Sequence, residues 1–244
     1  VVIHAVNYAD VAEAAALVDG LKAGLPVSGA TSIVCPPFVS LHLAQKALAG
    51  TGIGLGAQDM HPSDAGAYTG AISVTMVAEL CEYVLLGHSE RRHVFGESDE
   101  SVNAKVLSAL AAGLTPIVCV GETLAQREAG GAGETVTGQL TAAFSGVSDS
   151  SRAVVAYEPV WAIGTGVAAS RDDAQEMAAL VRRELGALFG TQAASDVPIL
   201  YGGSVKADNV ADYMAMADVN GALVGGASLD ADGFIRLTMN ATSS

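Results

Sequence analysis

Eight short, nearly unbroken apolar runs, each followed by a helix-like pattern, constrain this chain more than any other feature. The runs fall at residues 1–6, 31–35, 52–57, 83–87, 115–120, 153–157, 198–201 and 221–224. Strands buried on both faces read this way. The spacing predicts helices over 11–22, 39–49, 74–80, 100–112, 134–144, 171–189, 208–214 and around 233–239. The long one at 171–189 carries Ala174, Met177, Ala178, Val181 and Leu185 at three- and four-residue intervals, an amphipathic stripe. Start and stop signals agree. Asp10 and Glu13 are spaced as a capping box, Ser98 precedes an acidic first turn, and Gly113 follows Ala112. Eight such units in 244 residues admit two α/β architectures, a closed (β/α)8 barrel and a doubly wound open sheet. Length and count match the barrel. No Gly-x-Gly-x-x-Gly follows the first run, which weakens the open-sheet reading. No low-complexity linker divides the chain, so residues 1–244 are expected to form a single domain.

Only 5 % of the residues are aromatic while 50 % are hydrophobic, so the core must be built from small aliphatic side chains. The formal net charge is −14. That argues against a nucleic-acid or anionic-membrane partner, each of which needs a basic footprint. An anionic ligand would need a local site of backbone N–H groups or a few cations. Cys35, Cys81 and Cys119 are odd in number and far apart, and two sit inside apolar runs. They read as buried free thiols of a reducing compartment. No basic n-region opens the chain, and the longest uncharged stretch, residues 23–45, is broken by Pro26, Gly29, Pro36 and Pro37. A cytoplasmic protein is expected.

In a barrel, chemistry sits at the C-terminal ends of the strands. The fourth run ends in Gly87-His88-Ser89-Glu90-Arg91-Arg92 and the sixth in Tyr157-Glu158-Pro159. His88 alone reads as a hydrogen-bonded strand-end residue, and Glu158 alone as a loop anchor. On one rim they read as an acid–base pair. Gly202-Gly203-Ser204 and Gly225-Gly226 close the last two runs, where backbone N–H groups can approach an anion, and barrels commonly hold phosphate there. Residues 159–169 hold one aromatic, Trp161, with glycines at 164 and 166, and read as a lid beside Glu158. His4, His42, His61 and His93 read as surface or structural. No His/Cys/Asp cluster has metal-ligand spacing, so no metal or cofactor is expected.

Five strings together closely resemble the triosephosphate isomerase family, in its order and spacing. They are Gly87-His88-Ser89-Glu90-Arg91-Arg92, Cys119-Val120-Gly121-Glu122-Thr123, the stretch from Ala156 to Gly166, Tyr201-Gly202-Gly203-Ser204-Val205 and Leu223-Val224-Gly225-Gly226-Ala227-Ser228-Leu229. The likeness implies a (β/α)8 barrel that interconverts dihydroxyacetone phosphate and glyceraldehyde 3-phosphate through an enediolate, in glycolysis and gluconeogenesis. By it, Glu158 is the base and His88 the neutral electrophile. The backbone of Gly164, Ser204, Gly225 and Gly226 holds the phosphate, with Ser89, Glu90, Cys119 and Tyr201 in support. Pro159, Val160, Trp161, Ala162, Ile163, Thr165 and Gly166 form the lid. The loop ending Gly66-Ala67-Tyr68-Thr69-Gly70 resembles the one by which the family's subunits interlock, with Thr69 reaching the neighbour's site in a homodimer.

One departure is serious. The family's first strand ends in an Asn-Trp-Lys-Met-Asn-like string, and here that stretch is Ile3-His4-Ala5-Val6-Asn7-Tyr8. Ungapped alignment puts His4 at the asparagine and Val6 at the lysine. A one-residue slip restores no lysine, since the first is Lys22. The site loses a fixed cation, and Glu90 loses the partner the family gives it. A smaller departure is the far end of the lid, Val167-Ala168-Ala169. Besides an isomerase of impaired activity, the pattern admits a non-catalytic phosphate-binding barrel or an isomerase of another phosphosugar. The intact Glu158, His88, lid and glycine turns favour the triose isomerase.

Overall fold

A computed structural model describes residues 2–5, 10–25, 29–163 and 169–242. Eight parallel strands run in chain order: β1 (Val2–Ala5), β2 (Ser32–Cys35), β3 (Gly54–Ala57), β4 (Tyr83–Leu86), β5 (Thr115–Val120), β6 (Val154–Tyr157), β7 (Ile199–Tyr201) and β8 (Gly221–Val224). β8 pairs back onto β1, with Ile3 opposite Leu223. The sheet is a closed barrel, which decides against the open doubly wound alternative.

Alternation along each strand sorts the side chains. Ile33, Cys35, Leu85, Ile117, Cys119, Val154, Ala156, Leu200 and Leu223 pack together inside the barrel. Their neighbours Val34, Val84, Leu86, Val118, Val155, Ile199, Ala222 and Val224 join the larger core beneath the helices. Aliphatic side chains and two thiols fill this interior, and the glycines of β3 leave room for them. On β3, a Cβ at Gly56 would stand 2.7 Å from the Cys35 sulfur, and one at Gly54 would stand 2.9 Å from the Tyr83 ring. All three cysteines are buried free thiols.

The outer layer is α1 (Val11–Gly24), α2 (Leu41–Leu48), α3 (Val74–Ala78), α4 (Ser89–His93), α5 (Asp99–Ala111), α6 (Leu124–Glu128), α7 (Ala132–Ala143), α8 (Arg171–Phe189), α9 (Thr191–Asp196), α10 (Val210–Met214) and α11 (Ala231–Ala241). The eight helices read from the sequence are present, with bounds moved by a few residues. The one expected at 39–49 opens as a 3₁₀ turn, Phe38–Ser40, before α2 begins. α4, α6 and α9 were not foreseen. The capping box forms: Asp10 Oδ1 accepts from the backbone of Ala12 and Glu13 at 2.9 Å, and Glu13 Oε2 accepts from Asp10 N at 2.9 Å. The five stripe residues of α8 are all buried.

Candidate active site

The ends of β4 and β6 place His88 and Glu158 face to face. β4 stops at Leu86, and Gly87 turns with φ +69° into His88, the N-cap of α4. Glu158 follows β6 and is held from two sides. Its N–H donates to Val120 O on β5 at 2.8 Å, and Gly202 N donates to Tyr157 O at 2.8 Å from the end of β7. Glycine is required where the backbone comes this close: a Cβ at Gly121 would stand 1.8 Å from Glu158 O, and one at Gly202 2.9 Å from Glu158 Cγ.

The Glu158 carboxylate is 2 % exposed and engaged on both oxygens. Oε1 lies 3.0 Å from His88 Nε2, and Oε2 accepts the Ser89 N–H at 2.9 Å. On the other ring edge, Glu90 N donates to His88 Nδ1 at 3.4 Å. α4 is anchored beneath them by Arg91 on Asp59 at 3.2 Å and Arg92 on Asp99 at 2.5 Å.

Two opposing influences act on the imidazole. Burial lowers its pKa, but the Glu158 carboxylate, with a smaller push from Glu90, outweighs burial and raises it from 6.5 to about 9. The Glu90 N–H aimed at Nδ1 disfavours the imidazolium. The balance therefore turns on where Glu158 stands. With the carboxylate at 3.0 Å the charged ring is favoured. With it withdrawn, burial and the N–H both favour the neutral ring. In the ligand-free protein, His88 is expected to titrate near 9 by NMR of its ring nitrogens, and Glu158→Gln is expected to bring the midpoint below 6.5. A His88 midpoint unmoved by Glu158→Gln would contradict this coupling. Because the folded value is raised, the pair's stabilisation is complete below pH 6.5 and is lost as pH climbs through about 9.

The supporting residues fall as follows. Cys119 lies inside the barrel, where burial and then the Glu158 charge hold its thiol protonated. Tyr201 is buried and stacks on Tyr213 at 4.3 Å, and the Tyr213 hydroxyl donates to Ala169 O at 2.7 Å. Ser204 Oγ donates to Ala162 O at 2.7 Å, linking the β7 loop to the segment after Glu158. That segment makes a 3₁₀ turn, Val160–Ala162. Gly225 and Gly226 border open space, since a Cβ on either would meet nothing within 4 Å. Gly164, Thr165, Gly166, Val167 and Ala168, and likewise Val6, Asn7 and Tyr8, lie outside the described residues.

Glu90 needs a correction of emphasis. Loss of the family's lysine was expected to strand it, but its side chain is 54 % exposed and is solvated. Its one ion contact among the described residues is His88 Nδ1 at 3.9 Å. Sequence reasoning missed the part played by Glu122, which lies in a matched string yet received no role. It is fully buried after β5, and its Oε1 accepts from Tyr157 Oη at 3.1 Å and Trp161 Nε1 at 2.8 Å. His42 and His93 are exposed, and among the described residues no group of three or more His, Cys, Asp or Glu could hold a metal ion.

The family model described as triosephosphate isomerase matches residues 2–241. Triosephosphate isomerase of Roseiflexus sp. (strain RS-1) is 53 % identical over 234 residues, covering 94 % of this chain and 92 % of that protein. The enzyme of that name from Roseiflexus castenholzii is 52 % identical with the same coverage, and that from Chloroflexus aurantiacus is 51 % identical, covering 94 % of each.

Proposed function

The chain belongs to the triosephosphate isomerase family, and on that premise we propose how its residues carry out the aldose–ketose isomerisation of a triose phosphate. Glu158 takes the proton from the carbon beside the carbonyl and returns it to the neighbouring carbon. His88 Nε2 donates to the carbonyl oxygen, stabilises the enediolate and moves the hydroxyl proton between the two oxygens. A neutral imidazole matches the weak acidity of an enediol better than an imidazolium does. The coupling described above favours that state once Glu158 leaves His88 for the substrate carbon. The contact that carries this reading is the 3.0 Å approach of His88 Nε2 to Glu158 Oε1 across the rim of the barrel. Backbone N–H groups of Gly164, Ser204, Gly225 and Gly226 take the phosphate, and residues 159–166 close over it and exclude water. The open space beside Gly225 and Gly226 supports that assignment.

The test is a coupled assay with glyceraldehyde 3-phosphate. Conversion supports an isomerase, whereas phosphate-analogue binding without conversion supports the non-catalytic barrel. Gly225→Val should lose affinity for a phosphate analogue, read by calorimetry, while keeping its circular dichroism spectrum. Unchanged affinity would place the anion elsewhere.

We further infer a homodimer. Seven exposed large hydrophobic residues, Val11, Phe38, Val39, Tyr68, Met76, Val94 and Phe95, follow β1 to β4 and so lie on one side of the barrel. Thr69, next to Tyr68 in the chain, is exposed. Exposed apolar residues on one side of the barrel fit a partner copy. Three buried free thiols and the net charge of −14 suit a cytoplasmic protein without a nucleic-acid partner. No described helix is long and apolar enough to cross a membrane. On this reading the whole chain is one domain, and its reaction serves glycolysis and gluconeogenesis.

A further inference from the structure

The upper end of β5 is closed by a side chain instead of a strand. Leu86, the last residue of β4, pairs with Val118, so β5 runs on past its neighbour. Beyond that point the polar groups of β5 alternate between two edges. Val120 O and Glu122 O face β6, where they accept Glu158 N at 2.8 Å and Val160 N at 3.1 Å. Cys119 O and both backbone groups of Gly121 face the edge that β4 has left. Arg92 Nη2 donates to Cys119 O at 3.2 Å. Gly121 N donates to Gln139 Oε1 at 2.8 Å, and Gln139 Nε2 donates to Gly121 O at 3.1 Å. One carboxamide thus supplies both rungs that a neighbouring strand would have given, and a buried peptide needs them. Gln139 lies in α7, on the side of the helix whose Val136, Leu140 and Ala143 are buried. Its place three residues after Val136 turns it toward the barrel.

Gly121 is the residue against which Glu158 rests. A Cβ at Gly121 would stand 1.8 Å from Glu158 O and 2.6 Å from Glu158 C. We propose that Gln139 is a positioning residue for the isomerisation, holding Gly121 by both its backbone groups and so fixing where Glu158 presents its carboxylate. A peptide held through one group can still swivel about that bond. A carboxamide that accepts from the N–H and donates to the C=O fixes its place and its plane together. Without Gln139 both groups of Gly121 are buried and unsatisfied, a cost that moving the chain toward water relieves. Because the two backbones touch, that movement carries Glu158 with it. Misplacing a reacting group by about 1 Å can cost on the order of 10²-fold. The proposal rests on the isomerase reading, in which Glu158 is the base.

Gln139→Met keeps the length of the side chain and removes both contacts. Gln139→Asn stays neutral and polar but is one methylene too short to make both. Gln192→Met, at an exposed glutamine of α9, is the control. Circular dichroism checks that each variant folds. Gln139→Met should lose about tenfold in kcat with KM changed less than about threefold. His88, followed without ligand by NMR of its ring nitrogens, should titrate lower than in the unmodified chain, because its raised midpoint depends on where Glu158 stands. Gln139→Asn should fall between Gln139→Met and the unmodified chain on both readings. A glutamine that only stabilises the fold would lower the melting temperature and move neither. A Gln139→Met kcat within about twofold of the unmodified chain overturns the proposal, as does a loss of kcat with an unmoved His88 midpoint. If Gln139→Met fails to fold, Gln139→Asn decides on the same two readings. An unmodified chain without isomerase activity overturns the function above and not this contact, which the His88 midpoint then decides alone.

Discussion

Shortening Glu158 to aspartate is expected to lower kcat by about 10²-fold while KM stays within a few-fold. The carboxylate withdraws by one methylene, and the close approaches at Gly121 and Gly202 leave the backbone no freedom to follow it. The ground-state phosphate contacts lie on other strands and are untouched. A raised KM with kcat intact would remove Glu158 from the base role. The same variant lengthens the approach to His88, so its imidazole should also titrate lower than in the unmodified chain.

Installing a lysine at the end of β1 is expected to raise kcat by about tenfold or more, the low side of what a single donor to a developing oxyanion contributes. The ungapped alignment puts the missing lysine at Val6. Val6→Lys tests that placement, and Ala5→Lys, at the last residue of β1, tests a one-residue slip. No gain from either would show that the electrostatic role assigned to the absent cation is filled by another group, His4 being the first to test.

The strands were legible because burial on both faces writes an apolar run into each one, and α8 was legible because its 19 residues carry a stripe of five buried ones. Five- and six-residue helices such as α4, α6 and α9 hold barely one turn and a half, too little for a period to emerge. His88 and Glu158 could be found because each ends a readable strand. The contacts of Arg127 with Glu122, Trp161 and Asp173 could not be read, since it sits in a short helix and these partners come from three other places in the chain. Glu122 received no role from its sequence context, and only the folded barrel reveals that it is fully buried. His88 was expected neutral. Its ligand-free electrostatics could not be read from sequence because they depend on a 3.0 Å contact between strands four and six.

Solvent exchange at carbon tests the central claim, that Glu158 moves a proton through an enediolate, more directly than any rate. Dihydroxyacetone phosphate is incubated with the chain in deuterium oxide and the products are read by proton NMR. A carboxylate that holds the abstracted proton exchanges it with solvent, so the account predicts deuterium on the former carbonyl carbon of the aldehyde product and on the carbon of recovered substrate that loses its proton. Glu158→Gln should abolish both labels. Conversion with no deuterium at either carbon, as in direct hydride transfer, or label that persists undiminished in Glu158→Gln, would contradict it.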